Sequence, residues 1–156
     1  MLFRSCTPEV LQRVLTQVAE TRANRDADSA RVLPAHLESN FINPEYGGAQ
    51  PADCLRKPLA DGPEGEFSAG DILAVIRRGR AEVGIVTLAP ELPGGLDLVR
   101  ALVAAGHRVS LGHSGASFDE AMDAIDAGAH HATHLFNRMP PLAHRAPGLA
   151  DRKSTR

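Results

Sequence analysis

The sequence predicts an α/β fold assembled from parallel βαβ units. Three observations carry that expectation. Strand-like and helix-like segments alternate through the second half of the chain. Most predicted helices begin at a capping residue or end at a glycine. Glu38, Glu91, His113 and His134 each fall just after a predicted strand.

The first predicted helix covers 7–22. Thr7 caps it, Pro8 suits the first helical position and Glu9 complements the helix dipole. Val10, Leu11, Val14, Leu15 and Val18 recur at helical spacing. The apolar run from Val32 to Leu37 reads as a buried strand, although Pro34 lacks a ladder donor. Residues 43–66 are rich in Gly, Pro, Asp and Asn and read as a long loop, a kind that usually carries function. Residues 68–78 form an amphipathic helix with Ile72, Leu73, Val75 and Ile76 on one side. Then follow a strand over 83–88, a helix over 93–105 closed by Gly106, and a strand over 108–111. A helix over 117–127 has Ser117 as cap, Glu120 at the capping-box position and Gly128 as stop. The last strand covers 130–133.

Composition excludes several classes. At 156 residues and 43% hydrophobic, the chain can bury one core and is not a disordered tail. No apolar run approaches the roughly 20 residues a spanning helix needs, and the start lacks a secretory leader's apolar stretch. The net charge of −2 is spread along the chain, without the basic block or interleaved aromatics of a nucleic-acid binder. Neither nucleic acid nor membrane is expected as a partner. Two separated cysteines, Cys6 and Cys54, suit reduced thiols in a cytoplasm. Seven histidines stand out.

At the carboxyl ends of parallel barrel strands, Glu38, His113 and His134 would share a face. Two imidazoles and one carboxylate suit Zn²⁺ or a similar divalent ion and leave one coordination position open, as a hydrolase requires. The alternative is that the histidines bond to backbone carbonyls. Arg145, beside His144, and the nearby Asn137 and Arg138 fit either phosphate recognition or a solvated basic loop. His107, His130 and His131 are expected to serve structure. Glu91 is expected either to orient a ligand or, more simply, to serve as a helix-start carboxylate.

His131-Ala132-Thr133-His134-Leu135-Phe136-Asn137-Arg138-Met139 resembles the T-H-L-[FY]-N-x-M segment of N-acetylglucosamine-6-phosphate deacetylases, in the amidohydrolase superfamily. Arg145-Ala146-Pro147-Gly148-Leu149 resembles their R-x-P-G-L. Gly112-His113-Ser114 resembles their G-H-[ST], Val86-Thr87-Leu88-Ala89-Pro90-Glu91 their V-T-L-A-P-E, and His36-Leu37-Glu38 the start of their H-L-E-G-P. The resemblance runs from about Ser5 to Leu149. It implies a partial (β/α)8 TIM barrel of the metal-dependent amidohydrolase type, truncated at both ends. Residues 1–150 would be the central part of the barrel and 151–156 a polar tail unlike the family.

The resemblance further implies Glu38, His113 and His134 as ligands to a divalent metal, most simply Zn²⁺, with Fe²⁺ as an alternative. Asn137 and Arg138 would meet the sugar phosphate through backbone amides, with the Asn137 side chain as a further donor, and Arg145 would hold the phosphate. The reaction would release acetate and glucosamine 6-phosphate, in a commonly homodimeric enzyme. Alternatives are another amidohydrolase with a non-phosphorylated substrate, or a non-catalytic metal-binding remnant. Ser39-Asn40 replaces the family's Gly-Pro, which predicts a changed turn after Glu38. Gln50 stands near a substrate-contacting histidine position and keeps hydrogen-bonding capacity without charge. The general acid/base aspartate would lie beyond the C-terminus. An open parallel sheet would be marginally stable or prone to aggregate alone.

Overall fold

The computed structural model describes residues 2–24, 28–59, 65–143 and 147–150. Five parallel strands form one sheet in the order β1-β2-β3-β4-β5. They are β1 Leu2–Phe3, β2 Ala35–Glu38, β3 Val83–Leu88, β4 Arg108–Leu111 and β5 His131–Ala132. Four helices alternate with them: α1 Pro8–Ala23, α2 Ala69–Arg78, α3 Gly95–Ala104 and α4 Phe118–Asp126. Strand order equals chain order, as in a barrel wound one unit at a time.

Local chemistry explains the boundaries. Thr7 Oγ1 accepts the Val10 amide at the start of α1. Ser68 with Asp71, and Ser117 with Glu120, complete reciprocal capping boxes at α2 and α4. The predicted strand over 32–37 begins later, at Ala35, because Pro34 cannot join the ladder and the chain is extended into pairing only beyond it. Helix α3 starts at Gly95, two residues after the expected Pro93, with Gly94 in the left-handed conformation before it. The long loop contains two single 3-10 turns, Pro44–Tyr46 and Ala52–Cys54. Strand β1 is unforeseen; it pairs with β2 through Leu2 opposite His36 and Phe3 opposite Leu37. A two-residue strand leaves no periodic signal.

The register sorts the sheet into two faces. Leu37 pairs with Val86 and Val86 with Val109, an apolar row within the buried core. That core includes Leu11 and Leu15 of α1, Ile72, Val75 and Ile76 of α2, and Leu98, Val99 and Leu102 of α3. Each such side chain contributes about 1.5–3 kcal/mol when fully buried. The alternate row is polar: Glu38 pairs with Thr87, Thr87 with Ser110 and Ser110 with His131. Here Thr87 Oγ1 meets His36 Nε2 at 2.7 Å and Thr133 Oγ1 at 2.8 Å, while Ser110 Oγ reaches Thr133 Oγ1 at 2.7 Å. Linked side chains satisfy these buried hydroxyls. Burial is the leading cause that holds the His36 imidazole below its ordinary value. The buried His107 sits at the opposite, amino end of β4, its Nδ1 3.0 Å from the Val83 carbonyl, in the structural role expected of it.

Cys54 is buried and Cys6 partly so. Burial, reinforced by nearby Cys54, pushes the Cys6 thiol up from its ordinary 9.0 to about 11. Since the thiolate is the nucleophile, alkylation of Cys6 at pH 8 is expected to run roughly 100-fold slower in the folded chain than in urea. Peptide mapping after timed iodoacetamide treatment measures both rates; equal rates would contradict the burial. No described helix is long and apolar enough to cross a membrane.

Candidate metal centre

Glu38, His113 and His134 converge at the carboxyl ends of their strands. One ligand atom from each lies within 4.8 Å of the other two. His113 Nε2 is 2.9 Å and His134 Nε2 2.5 Å from the same oxygen, Glu38 Oε1. The two rings meet edge to face, with centroids 5.3 Å apart. Glu38 and His113 are buried, whereas the His134 side chain is 39% exposed and leaves one side of the cluster open.

The donor chemistry tests whether a cation fits. His113 Nδ1 lies 2.8 Å from the Tyr46 carbonyl, which can only accept, so Nδ1 carries the proton. Nε2 is then the ring atom turned toward Glu38 Oε1, at hydrogen-bond distance and in the orientation a metal-ligating imidazole takes. Two imidazoles and a carboxylate gathered at one point fit a divalent ion, and the Tyr46 carbonyl orients the His113 ring as outer partners of metal sites orient theirs.

Backbone strain concentrates here. Among the described residues, the non-glycine residues with positive φ are His113 at 50°, His134 at 53°, Phe136 at 72° and Arg138 at 54°. The left-handed region costs a non-glycine residue about 1–2 kcal/mol, so the surrounding bonds must enforce it. For His113 they do: its carbonyl accepts the Asn43 amide at 2.9 Å, and the Ser114 amide reaches the Arg138 carbonyl at 3.2 Å.

The turn after Glu38 contains Ser39 and Asn40, both buried. Ser39 Oγ donates to the Thr87 carbonyl at 2.5 Å and accepts the Phe41 amide at 3.2 Å. Asn40 Nδ2 donates to the carbonyls of Cys6 at 2.8 Å and Cys54 at 2.7 Å. Side-chain bonds thus hold the turn. Asn40→Ala would strand those carbonyls, and we expect a stability loss of about 1–3 kcal/mol, read from the urea midpoint. An unshifted midpoint would show the bonds to be dispensable.

Other expected site residues divide. Gln50 does reach the cluster: its amide donates to Glu38 Oε2, and its oxygen accepts the Ser5 amide at 2.8 Å. The Asn137 amide is engaged inside a turn, donating to the His134 carbonyl at 2.6 Å, and is not directed outward as expected. Arg138 is exposed, with its guanidinium packed over Gly48, where an added Cβ would come within 2.7 Å of Nε. Arg145 and His144 lie outside the described residues, as do 151–156. Glu91 is not a helix-start carboxylate, since α3 begins at Gly95; instead it bonds Asn43, Ser114 and Gly115. Asn43, Tyr46 and Ser114 were invisible as site residues. Tyr46 acts through its carbonyl, which no sequence motif specifies, while Asn43 before Pro44 signals only a turn.

A sheet wound in parallel βα units, with a Glu/His/His cluster at its strand ends, defines a segment of an amidohydrolase-type barrel. No family model matches the chain. Over 141 residues it is 43% identical to the N-acetylglucosamine-6-phosphate deacetylase of Bos taurus, an alignment covering 90% of this chain and 32% of that protein. Its fold superposes on the enzyme of the same name from Pasteurella multocida with a TM-score of 0.81 at 27% identity, covering 99% of this chain and 38% of the other. It also matches a mutant Mycobacterium smegmatis enzyme in complex with N-acetyl-D-glucosamine-6-phosphate, with a TM-score of 0.76 at 33% identity, covering 96% of this chain and 35% of the other. Over about nine-tenths of its length the chain is a homologue of N-acetylglucosamine-6-phosphate deacetylases. It spans about a third of the length of these relatives.

Proposed function

We propose that this chain contributes the metal-binding part of an enzyme that hydrolyses the N-acetyl amide of N-acetylglucosamine 6-phosphate. The convergence of three potential ligand atoms from Glu38, His113 and His134 within 4.8 Å carries the reading. These residues would hold the ion, taken to be Zn²⁺ from the two-imidazole, one-carboxylate set. When bound, such an ion supplies Lewis-acid polarisation of a carbonyl and activation of water. Buried Glu38 and His113 fix the ligand geometry from beneath, and half-exposed His134 borders the side where substrate would enter. Gln50 is close enough to Glu38 to share an approaching amide. Arg145 would pair with the phosphate through its planar donors, beside Asn137 and Arg138.

The test is zinc content and deacetylation of N-acetylglucosamine 6-phosphate on one purified, metal-replete sample. About one zinc per chain with release of acetate is the expected result for an active product. Zinc without turnover would assign the chain a metal-binding role alone. Absence of zinc would overturn the reading. For an active sample, Arg145→Ala should impair the phosphorylated substrate selectively; equal loss on N-acetylglucosamine would remove the phosphate role.

A further inference from the structure

We propose that Glu91 is a positioning residue for the metal site: without ligating, its carboxylate locks two neighbouring loops and so holds His113 in ligating geometry. The inference rests on the metal-site reading above.

Glu91 follows β3, yet its three hydrogen bonds all go to other loops. Oε1 accepts Asn43 Nδ2 at 3.0 Å and the Gly115 amide at 2.6 Å, and Oε2 accepts Ser114 Oγ at 2.7 Å. These donors surround His113. Ser114 and Gly115 are the next two residues, and the Asn43 amide caps the His113 carbonyl at 2.9 Å. Asn43 cannot turn its side chain round without loss, because Oδ1 already accepts the Glu45 amide at 2.9 Å.

The chemistry asks for a carboxylate. Three donors point at one group, and a carboxylate offers only acceptors. Glutamine of the same shape would set its own N–H atoms against a donor. Ser114 is fully buried, and its hydroxyl also accepts the Ala116 amide at 3.1 Å, so the loop has no solvent substitute for Glu91. Gly115 is packed as closely: a Cβ there would approach the Tyr46 ring to 2.7 Å. Tyr46 is the residue whose carbonyl orients His113. Glu91 therefore fixes the strained φ of His113 from its C-terminal side, while Asn43 and Tyr46 fix the carbonyl and the ring.

The full chain and the variants Glu91→Gln and Ser114→Ala would be titrated with zinc against a chromophoric chelator. Cobalt(II) absorption would report ligand geometry, and metal-free urea midpoints would report the fold. Glu91→Gln is expected to weaken zinc binding about 10- to 100-fold, as loss of outer partners does, and to alter the cobalt bands. Ser114→Ala, which removes one of the three donors, should do the same to a smaller extent and serves if Glu91→Gln does not fold. If the parent chain binds zinc and the folded variants match it within about 2-fold, Glu91 is merely structural and the inference falls. If the parent chain binds none, the metal-site reading itself fails and takes the inference with it.

Discussion

Replacing His113 by alanine is expected to lower zinc affinity by more than about 100-fold, since loss of an orienting partner alone costs about 10- to 100-fold. The loss should be specific to the site. Glu38 would keep His134 and Gln50 as partners, so the fold should lose no more than about 1–3 kcal/mol. Chelator competition measures the first effect and the urea midpoint the second. Unchanged zinc affinity in a folded His113→Ala chain would mean that the metal binds elsewhere.

Gly112→Ala is expected to harm the same site by a different route. A Cβ at Gly112 would stand 2.7 Å from the Thr133 carbonyl oxygen and 2.9 Å from Thr133 Cβ. Real Cβ atoms do not approach backbone so closely, so the ends of β4 and β5 would have to part. Gly112 precedes His113 and Thr133 precedes His134, and the separation would carry the two imidazoles apart. Thr133 also anchors the hydroxyl network with Thr87 and Ser110. Overpacking of this kind costs about 1–3 kcal/mol. A folded variant should show weaker zinc binding and a lower melting temperature. Wild-type values for both would show that the strand ends can yield.

Much of this architecture was legible from local rules. The amphipathic run from Ser68 announced α2, Ser117 with Glu120 three residues on announced α4, and β-branched Val83 to Leu88 announced β3. The candidate cluster was legible because strand ends in parallel βα units share one side, so Glu38, His113 and His134 could be grouped before any contact was known. What escaped was set by tertiary pairing. Leu2–Phe3 is a strand only because β2 offers it partners. Asn137 could be placed beside the site from its motif, but the turn back to the His134 carbonyl depends on left-handed residues on both sides. The shift of Glu91 from helix start to loop clasp follows from where Gly94 allows α3 to begin. The Ser39-Asn40 dipeptide marked a turn, but its buried partners come from Ser5, Cys6, Cys54 and Thr87, away from it along the chain.

The span between the ligands has a consequence in time. Glu38 meets His113 across 75 positions and His134 across 96. Closing loops of that length is slow and entropically unfavourable until the intervening strands have docked. The Glu38, His113 and His134 cluster therefore assembles late, and an ion held there would not serve as a template for the early chain. Its influence falls on the reverse process: contacts absent from the folding transition state slow unfolding without hastening folding. Metal supply would then set the lifetime of the folded chain more than the speed with which it forms, and a protease would discriminate loaded from empty molecules that fold equally fast.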